Sequence, residues 1–334
     1  MPFLCANFDF MKTVGFVIPD GNAKMGSLFG AIEILDQANN YALINGAAAR
    51  YAITVIGIDI PQHFNHFKTK IDFVEHFSES RRLDLIVIPG IYDPERYVAA
   101  ANEGLLQWLV GQYKEGAEIA SLCTGAFLLA ATGLLSGLEC STHWKAENEF
   151  VKAFPDVHLR IDKIITDNRG LYTAGGGNSS LNLILYLVEK FSGRAAALYA
   201  SKVLGIDIDR TSQSQFVLFE GHMDHDDEDI KNVQLYIQKN VVEKLSVEAL
   251  ADRFLISRRS FVRRFKKATN HSPIGYIQKM KVELAKRQLE SGRKSVHEVM
   301  YSVGYSDIKG FRNVFKKNTG LSPLEYKQKF SVYK

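Results

Sequence analysis

The C-terminal third of the chain contains an internal repeat, which constrains the fold more than any other feature. Residues 260–279 read SFVRRFKKATNHSPIGYIQK and residues 310–329 read GFRNVFKKNTGLSPLEYKQK, so that ten of twenty aligned positions are identical. Upstream, residues 246–257 (SVEALADRFLIS) parallel residues 295–306 (SVHEVMYSVGYS) at an offset of 49 instead of 50. Two copies are too few for a solenoid, and they predict two equivalent structural units.

Each copy predicts a helix, a tight turn and a second helix. In the first copy, Ser257 is a favourable N-cap for the second helix. Phe261 and Phe265 are four residues apart and therefore share the inner face of that helix. In the second copy, Gly304 marks the turn, Ser306 is the expected N-cap, and phenylalanines occupy the two matching inner positions. The sequence thus predicts two helix-turn-helix units, with a long helix over residues 274–290 between them.

The outer face of the second helix is basic in both copies. A helix-turn-helix places its second helix in the major groove of DNA. Arginine suits guanine edges there, and asparagine suits adenine edges. Two such units would present two recognition helices roughly one DNA turn (~34 Å) apart. A bundle whose basic residues merely keep it in solution is the alternative, but it does not explain why both copies preserve aromatic and basic positions together.

Charge is distributed unevenly along the chain. Residues 231–334 hold 23 Lys and Arg against 8 Asp and Glu, a net charge of +15, whereas residues 1–230 carry a net charge of −11. A basic domain indicates a polyanionic partner. Between the halves, the acidic tract DHDDED (residues 224–229) is too polar to bury itself, and we interpret it as the end of a linker. Its unspaced histidine and carboxylates do not predict a metal site.

The N-terminal part alternates strand-like and helix-like segments. Short, nearly continuous apolar runs are typical of strands buried on both faces of a parallel sheet; they lie at residues 12–18, 51–57, 83–89 and 118–123. Helical patterns lie at residues 27–39, 95–114, 124–135 and 178–191. This alternation predicts an α/β domain with helices on both faces of the sheet. The fold class is therefore α/β followed by an all-α domain.

Cys123 stands in the stretch ASLCTGAFLLA, where a strand ends and a helix begins. A thiolate there could act as a nucleophile if a helix N-terminus and a basic neighbour lowered the thiol pKa. With only three cysteines in the chain, a disulfide framework is not expected, and a reduced, cytoplasmic setting is. No secretory signal and no apolar run long enough to cross a membrane is visible.

Residues 231–330 resemble the DNA-binding domain of the AraC family. The resemblance rests on LSVEALADRFLISRRSFVRRFKKATNHSP and VGYSDIKGFRNVFKKNTGLSPLEYKQKF. It implies base contacts from both recognition helices, namely from Arg259, Val262 and Arg263 and from Ile308, Lys309, Arg312 and Asn313. Phosphate contacts are expected from Lys266, Lys267, Lys316 and Lys317. One departure from the family pattern is Asn270, where glycine is usual; asparagine tolerates positive φ, so the helix cap should persist.

The N-terminal part resembles the ThiJ/PfpI branch of the class-I glutamine amidotransferase-like fold, a flavodoxin-like parallel sheet. The motifs are GFVIPDG, LIVIPG, ASLCTGAFLLAATGLLSG, CSTHW and LYTAGGGNSSLNLILYLVEKF. Together with the AraC-type domain, they are similar to the GlxA-like group of transcriptional regulators. The resemblance places His143 near Cys123. However, Thr124 follows the cysteine where enzymes of this superfamily can have histidine, and Ser27 stands where they have a carboxylate.

The sequence therefore predicts a sequence-specific transcription regulator with a non-catalytic sensing domain. We expect this domain at residues 1–215, a linker at 216–230 and the DNA-binding domain at 231–334. An unidentified small molecule would bind near Cys123, Thr124 and His143. The expected partners are double-stranded DNA and a second copy of the chain, with no membrane, cofactor or metal. Two alternatives stay open: a cysteine enzyme tethered to a DNA-binding domain, and a redox sensor that uses Cys123.

Overall fold

The computed structural model describes residues 11–19, 23–57, 62–64, 69–71, 75–94, 103–210 and 212–332. The chain divides into two compact units, Met1–Gln213 and Ser214–Lys334. Within the described ranges, none of the helices combines the length and the apolar composition that crossing a membrane requires.

The first unit is built around a parallel sheet. Its strands are β1 (Lys12–Ile18), β2 (Tyr51–Gly57), β3 (Gln62–Phe64), β4 (Thr69–Ile71), β5 (Glu75–His76), β6 (Leu85–Ile88), β7 (Glu118–Ser121), β8 (Glu139–Cys140), β9 (His158–Leu159), β10 (Ile165–Asn168) and β11 (Leu171–Ala174). Seven of these described strands form one sheet in the order β10-β11-β7-β6-β1-β2-β5, in which only β10 runs antiparallel to its neighbour. β3 pairs with β4, and β8 with β9, in separate two-stranded sheets.

Helices cover both faces of this sheet, as predicted. They are α1 (Met25–Ile44), α2 (Glu103–Lys114), α3 (Ala126–Ala131), α4 (Glu147–Ala153), α5 (Leu181–Ser192) and α6 (Arg194–Leu204). One hydrophobic core joins the sheet to α1, α5 and α6, and the other joins it to α2, α3 and α4. The predicted helix over residues 95–114 is described only from Glu103 onward, and its earlier part lies outside the described residues.

The central strands are short and buried because their residues are almost all apolar. β6 (LIVI) is buried at each position, and β1 from Val14 to Ile18 is buried as well. The switch in strand order lies between β1 and β6, since the chain leaves β1 in one direction along the sheet and β6 in the other. The loops at the carboxyl ends of the strands around such a switch point are where ligands bind in open α/β sheets.

The second unit is helical throughout its described part, apart from loops. Its α-helices are α7 (Glu228–Lys239), α8 (Val247–Arg253), α9 (Arg258–Thr269), α10 (Pro273–Glu290), α11 (Val296–Ser302), α12 (Ile308–Thr319) and α13 (Pro323–Phe330). Two separate hydrophobic cores correspond to the two copies of the repeat. α10 is the predicted long helix between the copies, and it contributes side chains to both cores.

The segment predicted as a linker is part of the second unit's fold. We call residues 214–227 the strap. Phe219 is buried in the first helical core and packs edge-on against Tyr276. Two groups of α10 also bind strap backbone: the Lys286 ammonium donates to the Val217 carbonyl (2.6 Å), and a Glu283 oxygen accepts from the Phe219 N–H (3.2 Å). The acidic tract contributes the N-cap Asp227 of α7.

Candidate DNA interface and candidate ligand cleft

The first recognition helix, α9, is fixed at both ends by local hydrogen bonds. The Ser257 hydroxyl accepts a bond from the Ser260 N–H (3.4 Å), which confirms the predicted N-cap. At the C-terminus Asn270 adopts φ +60°, and its N–H donates to the Lys266 carbonyl. The cap therefore persists without glycine, as expected. Phe261 and Phe265 are fully buried, so the rotation of the helix is set by its aromatic face.

The opposite face of α9 is exposed and basic. All five residues predicted to contact DNA from this helix are exposed, and they line one shallow surface: Arg259, Val262, Arg263, Lys266 and Lys267. The four basic side chains among them make no ion pair with any residue that the structure describes. By contrast, Arg258 pairs with Glu248 (2.8 Å). Cationic groups without internal partners are available to phosphates and base edges.

One arginine of α9 binds the protein itself. The Arg264 guanidinium donates two hydrogen bonds to the Asp227 carboxylate (2.9 and 2.6 Å) and one to Asp229 (2.7 Å). This contact lowers the pKa of the Asp227 carboxyl and ties the end of the strap to the recognition helix. This pair was not predicted from the sequence, because the two partners are 37 residues apart and the tract looks like solvated linker.

The second recognition helix, α12, repeats this arrangement with two differences. Its N-cap is Asp307, whose carboxylate accepts bonds from the Lys309 and Gly310 N–H groups, so the prediction of Ser306 was wrong. The second copy has one additional residue after its turn, which shifts the cap by one position. Five of the six residues predicted to contact DNA from this helix are exposed: Lys309, Arg312, Asn313, Lys316 and Lys317. Ile308 is half-buried and packs on the second helical core.

In the first unit, Cys123 lies at a strained elbow directly after β7. It adopts φ +56°, a conformation that residues other than glycine rarely take. Its side chain is only 3% exposed, and its carbonyl accepts a hydrogen bond from the Thr142 hydroxyl (2.9 Å). Gly90, after β6, lies against it: a Cβ built on this glycine would be 3.2 Å from the Cys123 Cβ and 3.4 Å from the Ser27 hydroxyl. The elbow is thus at the predicted place.

A cleft of about 370 Å³ opens beside the elbow. Of the three residues predicted to bind a ligand, Thr124 and His143 line it, whereas the buried Cys123 is not among the described lining residues. The Thr124 hydroxyl donates to the Ile91 carbonyl (2.5 Å) and accepts from the Ile91 N–H (2.9 Å). Its donor is therefore used within the protein. Ser27 likewise donates to the Lys24 carbonyl and accepts from the Gly90 N–H.

The cleft is lined by charges of both signs around a neutral imidazole, since it contains Lys24 and Lys145 as well as Asp93 and Glu149. Burial, together with the nearby Lys24 and Lys145 ammonium groups, lowers the pKa of His143 to about 4. At neutral pH the ring is therefore uncharged. Its Nδ1 accepts a bond from the Lys145 N–H (3.1 Å), which leaves the proton on Nε2. The ring packs tightly against Gly176, where a Cβ would lie 2.2 Å from His143 Cδ2.

The cleft is also lined by the carboxylate of Glu149. Glu149 Oε2 is buried and has no hydrogen-bond partner among the residues that the structure describes. Buried polar atoms are normally paired, so such an atom indicates a missing donor. Glu149, Lys24 and Lys145 were not predicted from the sequence. Two of them could have been found, because Lys145 and Glu149 follow His143 by two and six residues and α4 begins just beyond the histidine.

Gln213 is a further buried residue, and it holds the segments on either side of the imidazole together. It is 1% exposed, and its Nε2 donates to the Thr142 and Ile161 carbonyls (3.0 and 2.9 Å). Its Oε1 accepts from the Gly176 N–H (2.9 Å). The glutamine therefore connects the loop carrying His143 with the glycine that packs on the imidazole.

Comparison with known families agrees with this architecture. Residues 250–329 match the helix-turn-helix domain family, and residues 32–190 match the DJ-1/PfpI family. The HTH-type transcriptional regulator GbdR of Pseudomonas aeruginosa is 24% identical over 318 residues, which cover 95% of this chain and 84% of that protein. The HTH-type transcriptional regulator ArgR of the same species is 27% identical over 213 residues, 64% of each chain.

Solved structures share the fold of the first unit. A putative transcriptional regulator from Vibrio parahaemolyticus superimposes with a TM-score of 0.52 at 20% identity, covering 58% of this chain and all of that one. An AraC family transcriptional regulator from Pseudomonas putida gives a TM-score of 0.50 at 21% identity, covering 58% and 99%. The chain is therefore a transcription regulator that joins a DJ-1/PfpI sensing domain to an AraC-type helix-turn-helix DNA-binding domain.

Proposed function

We propose that this regulator reads double-stranded DNA with α9 and α12 together. The observation that carries the proposal is the exposed basic face at matching positions of the two helices, whose cations form no ion pair with any described residue. Base contacts come from Arg259, Val262 and Arg263 of the first helix and from Lys309, Arg312 and Asn313 of the second. Lys266, Lys267, Lys316 and Lys317 contact phosphates. Ile308 contributes to packing, with at most an edge left for a thymine methyl group.

The test compares two arginine variants with a charge-matched control. A specific site is first selected from a random duplex library with the full-length chain. Arg263→Ala and Arg312→Ala are each expected to cost about 1–3 kcal/mol of binding free energy on that site and to relax the base preference there. Arg287→Ala removes an exposed arginine of α10 and should leave base preference unchanged. If both recognition-helix variants bound the site as tightly as the parent, the assignment would be wrong.

The cleft beside Cys123 is proposed to take the small-molecule effector. Lys24 and Lys145 favour an anionic group on the ligand. Asp93 and the Glu149 oxygen, which has no partner among the described residues, favour a group that donates hydrogen bonds. The Nε2–H of His143 supplies a further donor. Calorimetric titration with small molecules that carry both groups tests this directly, with Glu149→Gln expected to weaken binding at least about tenfold. Equal affinity of Glu149→Gln and the parent for every bound compound would place the effector elsewhere.

The first unit is proposed to sense without catalysis. Cys123 is buried, Ser27 and Thr124 occupy the positions of possible catalytic partners, and both hydroxyls are bound to backbone groups. An effector acts by binding more tightly to one of two DNA-binding states of the chain. Turnover of aldehydes, amides or peptides that Cys123→Ser abolishes would instead establish an enzyme. DNA affinity that peroxide changes in the parent and not in Cys123→Ser would establish a redox sensor.

The regulator is further proposed to act in the cytoplasm as a homodimer. Exposed apolar side chains on α1 and α6 support self-association of the first unit, because Phe29, Leu43 and Val203 are each at least 47% exposed. Sedimentation of the full chain measures the oligomeric state. Leu43→Glu is expected to shift the equilibrium toward monomer if this surface forms the dimer.

A further inference from the structure

α10 passes through both hydrophobic cores of the second unit. Tyr276 and Ile277 belong to the first core, whereas Val282 and Leu289 belong to the second. Lys281 lies where one core gives way to the other, and it is only 6% exposed. A lysine is rarely buried to this degree unless its ammonium group has partners.

The partners of Lys281 come from the loop that precedes the first copy of the repeat and from the turn of the second copy. Its ammonium donates to the Glu243 carbonyl (3.1 Å), in the loop after α7, and lies 3.5 Å from the Gly304 carbonyl, in the turn of the second helix-turn-helix. It also lies 5.3 Å from the centre of the Tyr305 ring. Within the described residues no carboxylate forms an ion pair with it. The lysine thus connects backbone of the first helical unit with backbone of the second.

Gly304 gives an independent sign that the two units touch at this point. It adopts φ +77°, and a Cβ built on it would lie 2.0 Å from the Val242 carbonyl oxygen and 2.8 Å from Lys281 Nζ. No side chain fits between the turn of the second helix-turn-helix and the loop that follows α7. The junction formed by residues 242–243, Lys281 and residues 304–305 is therefore a close backbone contact held by one buried charge.

Apolar packing alone would leave this junction adjustable, because hydrophobic contact has no preferred direction. A buried ammonium group is different, since any arrangement that removes its carbonyl partners leaves a charged donor unsatisfied. Only a narrow range of rotations and translations keeps both carbonyls within reach. The positions of α9 and α12 depend on this arrangement, because each is packed on its own core.

We propose that Lys281 is a positioning residue for DNA recognition, which sets the base-pair spacing between the two half-sites that α9 and α12 read. The proposal rests on the proposed function, in which both helices contact DNA. One added base pair displaces a half-site by about 3.4 Å and rotates it by roughly 35°. A fixed junction should reject such a site, and a loosened junction should tolerate it.

The experiment measures binding of the full chain to three duplexes. One is the site selected from a random library by the parent, and the others add or remove one base pair between its half-sites. Lys281→Met keeps a long apolar side chain and removes the ammonium group. We expect the ratio of Kd for the altered spacings to Kd for the selected spacing to fall at least about tenfold, or 1.4 kcal/mol. Affinity for each isolated half-site should not change.

Two further variants separate positioning from other roles. Arg287→Met removes an exposed positive charge from the same helix and should leave the spacing ratio unchanged. Lys281→Gln keeps a donor for the carbonyls and should recover part of the parent's spacing preference. An unchanged ratio in folded Lys281→Met would overturn the proposal, as would failure of both Lys281 variants to fold, which would indicate a purely structural residue. If the parent selected no site at all, the proposed function would fail first.

Discussion

The two helix-turn-helix units have the same pattern of aromatic core and basic outer face, yet they are held in different ways. In the first helix-turn-helix, Leu255 occupies the turn with φ +54° and is 94% exposed. In the second helix-turn-helix, Gly304 occupies the equivalent position and lies against the Val242 backbone. Furthermore, Arg264 of the first recognition helix is bound by the strap, whereas its counterpart, Val314, packs on the second core. Identical positions in a repeat therefore need not carry identical constraints.

The largest expected difference concerns the two turns. Gly304→Leu would place a side chain into the Val242 carbonyl and would also impose positive φ on a branched residue. We expect a loss of at least about 3 kcal/mol in the free energy of unfolding of the second unit. Chemical denaturation followed by far-ultraviolet circular dichroism measures it. A loss below about 1 kcal/mol would mean that the junction yields easily, which would also weaken the role given to Lys281.

An intermediate effect is expected at the strap. Asp227→Ala removes the N-cap of α7 and the carboxylate that binds Arg264, at a cost of about 2 kcal/mol in unfolding free energy. Asp229→Ala is the matched control, because it removes one exposed contact to Arg264 and no cap, and it should cost less than about 0.5 kcal/mol. Equal costs for the two variants would contradict the coupling of strap and recognition helix through Asp227.

The same pair predicts a pH dependence. Since Arg264 lowers the pKa of folded Asp227, its stabilising contribution is complete above the unfolded-state pKa of about 3.9 and is lost as the pH falls through the folded value. The difference in unfolding free energy between the parent and Asp227→Ala should therefore be constant from about pH 5 to 7 and shrink below about pH 4. A difference that grew on acidification would contradict this assignment.

The smallest effect is expected at the exposed turn. Leu255→Gly removes the backbone strain that positive φ imposes on leucine. It removes no buried contact, since the side chain is almost wholly in solvent. The greater conformational freedom of glycine in the unfolded chain offsets part of this gain. We therefore expect a stabilisation between zero and about 1 kcal/mol. Thermal unfolding measures it. Destabilisation by more than about 1 kcal/mol would show that Leu255 makes a contact that the second helix-turn-helix lacks.

Much of this architecture could be predicted from sequence, because its signals are local. Phe261 and Phe265, spaced by four, set the rotation of α9, and the apolar runs of β1 and β6 have few other ways to be buried. The cap of α12 at Asp307 was missed because two adjacent residues can both cap, and only the extra residue after the turn decides between them.

Features that depend on distant partners could not be predicted in this way. The strap looked like solvated linker, although its few apolar and acidic side chains find partners far along the chain, Phe219 at Tyr276 and Asp227 at Arg264. Cys123 was expected in a ligand site, and its position at the elbow was predictable. That Thr124 and His143 line the cleft while the cysteine is buried depends on packing between segments distant in sequence, which the local sequence does not reveal.

The strap also bears on how such a protein can be recombined. A chimaera whose DNA-binding domain began at residue 231 would lack Phe219 and Asp227. Loss of Phe219 would leave a cavity in the first helical core, and loss of Asp227 would leave Arg264 without its main acceptor. A seam between Gln213 and Ser214 would transfer every described residue of that core together. The domain that can be exchanged as one piece is therefore longer than its repeat. Recombination between related regulators should preserve function more often when the crossover lies before the acidic tract than when it lies within it.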